Sequence, residues 1–437
     1  MTTIALIGAG SAQFGVDMLR DLFVARTELW GSTIWLVDIN ADALQVMNRV
    51  ARRLNEATGK PFHIHATTER RKALRGAEFV IISVAVKRNE LWRLDFQIPL
   101  KHGVKQVLGE NGGPGGLFHA MRNIPLVLGI CRDIGHFCPD ALVLNLTNPE
   151  GRICLAASRY TNLRFVGLCH GISMAQTAVA SALDLPANEI DPIAGGLNHF
   201  SWILSLRRAS DGEDLYPAFK QAIAAQDVQE VEHKGHRFRV RLSRYLMDTF
   251  GYWPLPSDDH VGEYLSYAWE FCGLDGYDFD QADRNVEQKW RQLCRWTSGE
   301  EPMDRLLAEP SGERAIPIIV GVLANSHHYE LSVNVPNKGF IPNLPSWAIV
   351  EIPGLVDGAG VRGINVGPLP EPIAAMCHSQ IAVIDRMVEA AVHGDRRAAL
   401  EALLLDPVVN SASQAEAVLD EMLEVHKESL PQFWVNS

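Results

Sequence analysis

The apolar positions at the start of the chain fall into two alternating patterns. TIALIGAG, Thr3 to Gly10, is a continuous apolar run closed by glycines, as expected of a strand covered on both faces. Apolar residues at helical spacing follow from about Phe14 to Val24, and TIWLVDIN then forms a second run ending on Asp38. Further strand-like runs are predicted at about Phe62 to Ala66, Phe79 to Val84, Ala141 to Leu146 and Leu163 to Leu168, with helical patterns between most of them. This alternation predicts an α/β fold with a doubly wound parallel sheet. The later pattern is mixed. GGLNHFSWI, residues 195 to 203, alternates like a strand and predicts His199 inside it, with Asn198 on the opposite face. HHYELSVNVPNKGFIPNLPSWAIVEIP reads as strands broken by Pro and Asn turns, and two helices are predicted at about Ile373 to Val392 and Gln414 to Glu428. These helices suit core or subunit packing. The division expected is a nucleotide-binding domain over residues 1–171 and an α+β substrate, metal and oligomerisation domain over 172–437.

Composition narrows the function classes. The chain has 437 residues, 47% of them hydrophobic, enough to bury a large core without disulfides. A net charge of -12 with scattered Lys and Arg argues against nucleic acid or an anionic membrane as partner, so a small molecule is expected. MTTIALIGAG has no basic stretch leading into a long apolar segment, and no run of about 18 apolar residues occurs anywhere. A cytoplasmic protein is expected. Seven irregularly spaced cysteines fit a reducing compartment in which thiols remain available as ligands.

The first βαβ unit carries a cofactor signature. Gly8 and Gly10 let the chain turn sharply and approach a pyrophosphate, and the next helix offers a positive N-terminus. Asp38, ending the second strand, can accept from ribose hydroxyls, which favours NAD over NADP. The third glycine comes late, at Gly15, and a glycine turn that binds nothing is the competing reading. Ser11, Val84 and Asn145, at the glycine turn and neighbouring strand ends, complete the expected cofactor set.

GLCHGI, residues 167 to 172, puts adjacent Cys169 and His170 at another strand end, where ligands bind in such sheets. By itself this is better read as a buried cysteine beside a structural histidine. The order of IALIGAGS, LVDIN, DFQIPLKHG, GPGGLFHAMRNIP, NLTNP, GLCHG, GLNHFSW, GYWPLPSDDHVGEY and VPNKGFIPNLP, however, resembles the NAD- and divalent-metal-dependent glycosidases of glycoside hydrolase family 4 over nearly the whole length. The paired-carboxylate mechanism usual among glycosidases does not apply to that family. The resemblance implies a Rossmann-type NAD domain followed by a domain like the C-terminal one of lactate and malate dehydrogenases, and commonly a homodimer or homotetramer.

It further implies that Cys169 and His199 hold a divalent ion, typically Mn2+, and that His170 is the candidate general acid. A thiolate and an imidazole alone would suggest zinc; substrate hydroxyls as additional oxygen donors make manganese reasonable. A sugar C2–H is too weakly acidic for a side chain to remove. Oxidation at C3 by NAD makes it removable, and a metal on the C2 and C3 oxygens stabilises the enolate. Loss of the C1 substituent, addition of water and return of the hydride complete a net hydrolysis. The base implied is Asp258, with Tyr264 as alternate; a solvated acidic loop is the plain reading of SDDHVGEY. Asn148, Asn198 and His260 are candidate sugar contacts, although Asn148 before Pro149 also suits a turn.

CHGI and GENGGPGGLFH resemble the α-galacturonidase branch, which implies a uronic-acid glycoside. Arg88 is the candidate partner of its carboxylate, and Lys87 is equally well a solvated loop residue. The rival functions are a plain NAD-dependent hydroxy-acid dehydrogenase, a non-catalytic NAD sensor, and the same chemistry on a neutral, glucuronide or phosphorylated glycoside.

Overall fold

The computed structural model describes residues 1–24, 27–59, 62–225, 230–233, 236–308 and 310–434. Its strands are β1 (Thr3–Ile7), β2 (Thr33–Val37), β3 (His63–Thr67), β4 (Phe79–Ile82), β5 (Leu142–Asn145), β6 (Arg164–Gly167), β7 (Ile190–Leu197), β8 (Phe200–Arg208), β9 (Glu230–His233), β10 (His236–Arg239), β11 (Pro254–Leu255), β12 (His328–Pro336), β13 (Ile349–Asp357) and β14 (Gly360–Gly363).

The first six are parallel in the order β3-β2-β1-β4-β5-β6. This is the doubly wound order, and its switch point falls between β1 and β4, where a crevice opens beyond the strand ends. The four described residues of β4 and of β5 are all buried, because helices cover both faces and leave no polar side to the pleat. Helix Ala41–Thr58 starts where the Asn40 side chain accepts from the Asp42 and Ala43 amides, and it stops at Gly59, φ 58°. Asparagine supplies the missing N-terminal acceptor, and glycine takes the left-handed exit without a Cβ clash.

The sheet continues past residue 172. β12 pairs antiparallel with β6 through Asn334 and Gly167, and β13, β7, β8 and β11 follow, giving twelve strands with β14 paired to β13. The two expected domains therefore share one sheet. Helix Glu371–His393 packs on both Gly113–Phe137 and Glu150–Tyr160, so the late helix predicted near Ile373 joins the common core. Among the described residues no helix is long and apolar enough to cross a membrane.

Candidate active site

The β1 turn is built for close approach. A Cβ on Gly8, φ 93°, would lie 1.8 Å from the Ser83 carbonyl oxygen, and one on Gly10 would lie 2.7 Å from the Asp38 carboxylate. The Gly10 amide donates to Asp38 Oδ2 at 2.8 Å, and the Asn40 amide to Oδ1 at 2.8 Å, so Asp38 stands fixed at the end of β2. Gly15 performs the packing task of a third glycine despite its late position: its Cβ would meet the Ala9 carbonyl oxygen at 2.3 Å. Ser11 Oγ accepts from the Gln13 and Phe14 amides at 3.3 and 3.2 Å, which caps the following helix rather than leaving the hydroxyl open. Across the crevice, the Val84 amide donates to Thr147 Oγ1 at 3.0 Å, and buried Asn145 keeps its Oδ1 without a hydrogen-bond partner among the described residues. A cradle that no side chain can fill, a fixed acid and an orphaned amide oxygen fit a dinucleotide.

At the same sheet edge, Cys169 follows β6, half-buried, and its neighbour His170 is half-exposed with Nδ1 3.6 Å from Glu313 Oε1. Burial pushes the Cys169 thiol well up, and buried Glu351 and Glu150 add to the rise.

The sequence places His199 within a strand; the structure puts Asn198 and His199 in the tight turn joining β7 to β8. His199 has φ 59°, a left-handed conformation that costs a non-glycine residue about 1 to 3 kcal/mol. The turn aims its ring inward, 3.1 Å from Asn111 Nδ2 and 4.4 Å, centroid to centroid, from His260. Burial, then His260 and His170, hold His199 neutral, well below the usual imidazole range. Asn198 is buried and donates to Glu351 at 2.9 Å, so its amide is engaged inside the protein.

The structure adds an acid that the sequence reading left among glycines. Glu110, in GENGG, is buried beside His260: Oε1 accepts from Arg88 at 2.5 Å and Asn148 at 3.3 Å, and Oε2 stands 4.0 Å from His260 Nδ1. Burial raises its pKa, but Arg88, His260 and His119 outweigh that and keep the carboxyl below its ordinary value. Ligand atoms of Glu110, His199 and His260 lie within 4.8 Å of one another. His260 is pushed up to about 9: burial opposes this, and Asp259, Glu263 and Glu110 prevail.

Glu263 explains why the loop stays in place. Its Oε2 accepts the Glu110, Asn111 and Gly112 amides at 2.6, 2.6 and 3.0 Å, filling the concavity of backbone N–H groups that the glycines create.

The two base candidates differ sharply. Asp258 is 2% exposed, and it accepts the Leu242 and Ser243 amides and the Ser243 hydroxyl at 2.8, 2.8 and 2.7 Å. Both its oxygens cap helix Arg241–Phe250, a task unlike the one its sequence position suggested. Burial lifts it to about 6 against those bonds. The Tyr264 hydroxyl instead lies 3.3 Å from the Asn198 carbonyl oxygen, beside His199, and 3.4 Å from Arg152 Nη1. Burial raises the phenol and fully buried Arg152 opposes the rise. Neither Arg152 nor Glu263 was singled out from the sequence; an arginine just after NPEG and the third acid in SDDHVGEY were the only signals.

A family model described as family 4 glycosyl hydrolase matches residues 3–185, and one described as its C-terminal domain matches 194–409. The chain is 38% identical to an alpha-glucosidase of Erwinia rhapontici, over 100% of this chain and 99% of that one. It is 28% identical to an alpha-galacturonidase of Thermoanaerobacterium saccharolyticum, over 98% and 96%. The fold superimposes, at TM-score 0.85 and 22% identity over 99% of both chains, on a 6-phospho-alpha-glucosidase from gut microorganisms solved with NAD and Mn2+.

Proposed function

The chain belongs to family 4 of the glycosyl hydrolases, and from that premise we propose an NAD- and Mn2+-dependent α-glycosidase acting on neutral α-hexosides. The observation that carries the reading is convergence at one sheet edge. The glycine cradle at β1 and the polar cluster around His199 both open beyond the same strand ends.

Gly8, Gly10, Asp38 and Asn145 would hold the dinucleotide, and Cys169 and His199 would hold the ion. Bound there, the pair supplies a reversible hydride acceptor and a Lewis acid for adjacent sugar oxygens. Tyr264 is the base in this reading, since its hydroxyl lies beside the His199 turn and Arg152 favours its ionised form. Half-exposed His170, near Glu313, carries the proton delivered to the leaving oxygen. Asn148 and Arg88 fix Glu110, while the buried walls exclude water. A cytoplasmic setting would keep Cys169 reduced and the dinucleotide available.

The preference for neutral substrates rests on Arg88. The cation that the sequence offered to a uronate is already paired with Glu110, so a second carboxylate would meet a charge that is matched. The higher identity to an α-glucosidase than to an α-galacturonidase points the same way. One observation favours the uronide reading: the Arg88 side chain is 41% exposed and keeps an edge toward solvent.

The test is hydrolysis of aryl α-glucoside, α-galactoside and α-galacturonide with NAD, Mn2+ and a thiol reductant, each additive omitted in turn. Turnover of a neutral glycoside without net NADH, lost with chelator or in Cys169→Ser, is expected. Full activity without NAD would refute the redox route, and a preference for the galacturonide would restore the acidic substrate.

A further inference from the structure

We propose that the cavity beside the start of β6 is a second ligand site, which takes a phosphate monoester with a partly apolar body. It lies apart from the glycosidase site. The cavity has a volume of about 640 Å³, between the residues entering β6, the end of β12 and β14, and none of the cofactor, metal or base residues described above lines it. Arg164 opens β6, whereas Cys169 follows the other end of that strand.

Charge selects the head group. Arg164, Lys338 and Arg362 line the cavity, and no carboxylate does. In a chain of net charge -12, three cations gathered without an acid invert the average composition, and such a concavity concentrates anions. Arg362 is ion-paired with Asp357, outside the lining, so its charge is matched. Arg164 instead donates to the Ala359 carbonyl oxygen, a neutral partner that leaves the guanidinium charge unanswered. Lys338 makes no ion pair among the described residues. Two unmatched positive charges suit a phosphoryl group, which carries nearly two negative charges at neutral pH and accepts N–H groups from Arg and Lys.

The two cations are held in place. A Cβ on Gly360, φ 117°, would lie 2.3 Å from Arg164 Nη2, so a glycine at the start of β14 makes room for the guanidinium. Lys338 stands in a left-handed turn, φ 44°, directly after Asn337, whose buried side chain accepts the Ile341 amide at 2.7 Å and donates to the Ile341 and Leu344 carbonyl oxygens at 2.9 and 3.0 Å. Non-glycine residues in that conformation collect at ligand sites. Volume and walls select the body of the ligand. A bare phosphate would fill only a small part of a space that falls in the range of organic-ligand pockets. Phe165 and Phe340 supply apolar wall, and Ser158 and Asn162 supply hydroxyl and amide groups.

The experiment is calorimetric titration of the full-length protein, loaded with NAD and Mn2+, with phenyl phosphate, inorganic phosphate and benzyl alcohol. Phenyl phosphate should bind at about one per chain, inorganic phosphate about tenfold more weakly or worse, and the alcohol not at all. Arg164→Gln and Lys338→Gln should each weaken phenyl phosphate about tenfold, as loss of a charge-assisted hydrogen bond does, while Arg88→Gln, at the glycosidase site, should leave its affinity unchanged. Lys338→Gln breaks no ion pair, so it keeps the test readable should Arg164→Gln fail to fold. A loss in Arg88→Gln with none in the other two variants would place the anion at the glycosidase site and overturn the proposal. No binding at millimolar phenyl phosphate would overturn it as well. Equal affinity for inorganic and phenyl phosphate would overturn the ester, because the walls would then contribute nothing.

Discussion

Replacing Asp258 and Tyr264 in turn separates a helix cap from a catalytic base. Asp258 accepts two helix N–H groups and the Ser243 hydroxyl at 2% exposure, so Asp258→Ala strands two buried donors. Cap removal costs about 0.5–2 kcal/mol, and this burial argues for the upper end, about 2 kcal/mol. Asp258→Asn sheds the buried charge but keeps only one acceptor oxygen and turns an amide N–H2 toward a helix donor, so its stability should fall by about 1 kcal/mol, less than in Asp258→Ala. Tyr264→Phe loses two long hydrogen bonds, about 1 kcal/mol, but removes the group proposed to take the C2 proton. Urea denaturation measures the first effect, and exchange of substrate C2 hydrogen with D2O, followed by NMR, measures the second. Tyr264→Phe should slow exchange by about 10²-fold or more, and Asp258→Asn by less than about tenfold. A stably folded Asp258→Asn that has lost exchange, beside a Tyr264→Phe that retains it, would refute the assignment and return the base to the loop acid.

Three more outcomes follow from the geometry. Gly10→Ala pushes a methyl into the Asp38 carboxylate and should weaken NAD binding about tenfold or more in calorimetry; wild-type affinity would mean that the cradle is not the cofactor site. Glu263→Ala leaves three buried amides without an acceptor and should cost at least about 3 kcal/mol, with new proteolytic cleavage near Asn111; a loss under about 1 kcal/mol would contradict the clamp. His119, lowered to about 4 mainly by burial, takes up its proton later than the unfolded chain as pH falls, so it supports the fold above 6.5 and that support disappears as pH drops toward 4. The shift amounts to about 3 kcal/mol, and the wild type should lose that much more stability than His119→Gln between pH 7 and 4; parallel urea profiles would rule this out.

The linear chain determined the elements that depend on neighbours in sequence. The apolar runs of β1, β2, β4 and β5 and the glycines after β1 announced a parallel sheet with a ligand crevice, because burial on both faces and turn stereochemistry are local demands. The order of motifs likewise identified Cys169 and His199 as a pair worth testing. What the chain could not reveal is how side chains are consumed once brought together. Asp258 looked available until helix Arg241–Phe250 claimed both its oxygens, and Arg88 looked free until Glu110 met it. Glu110, Arg152 and Glu263 acquire their places from partners 22 to 153 positions away. A carboxylate in a glycine loop has no address until tertiary packing decides which cations, amides and imidazoles surround it, since hydrogen bonding and charge act through space, not along the backbone.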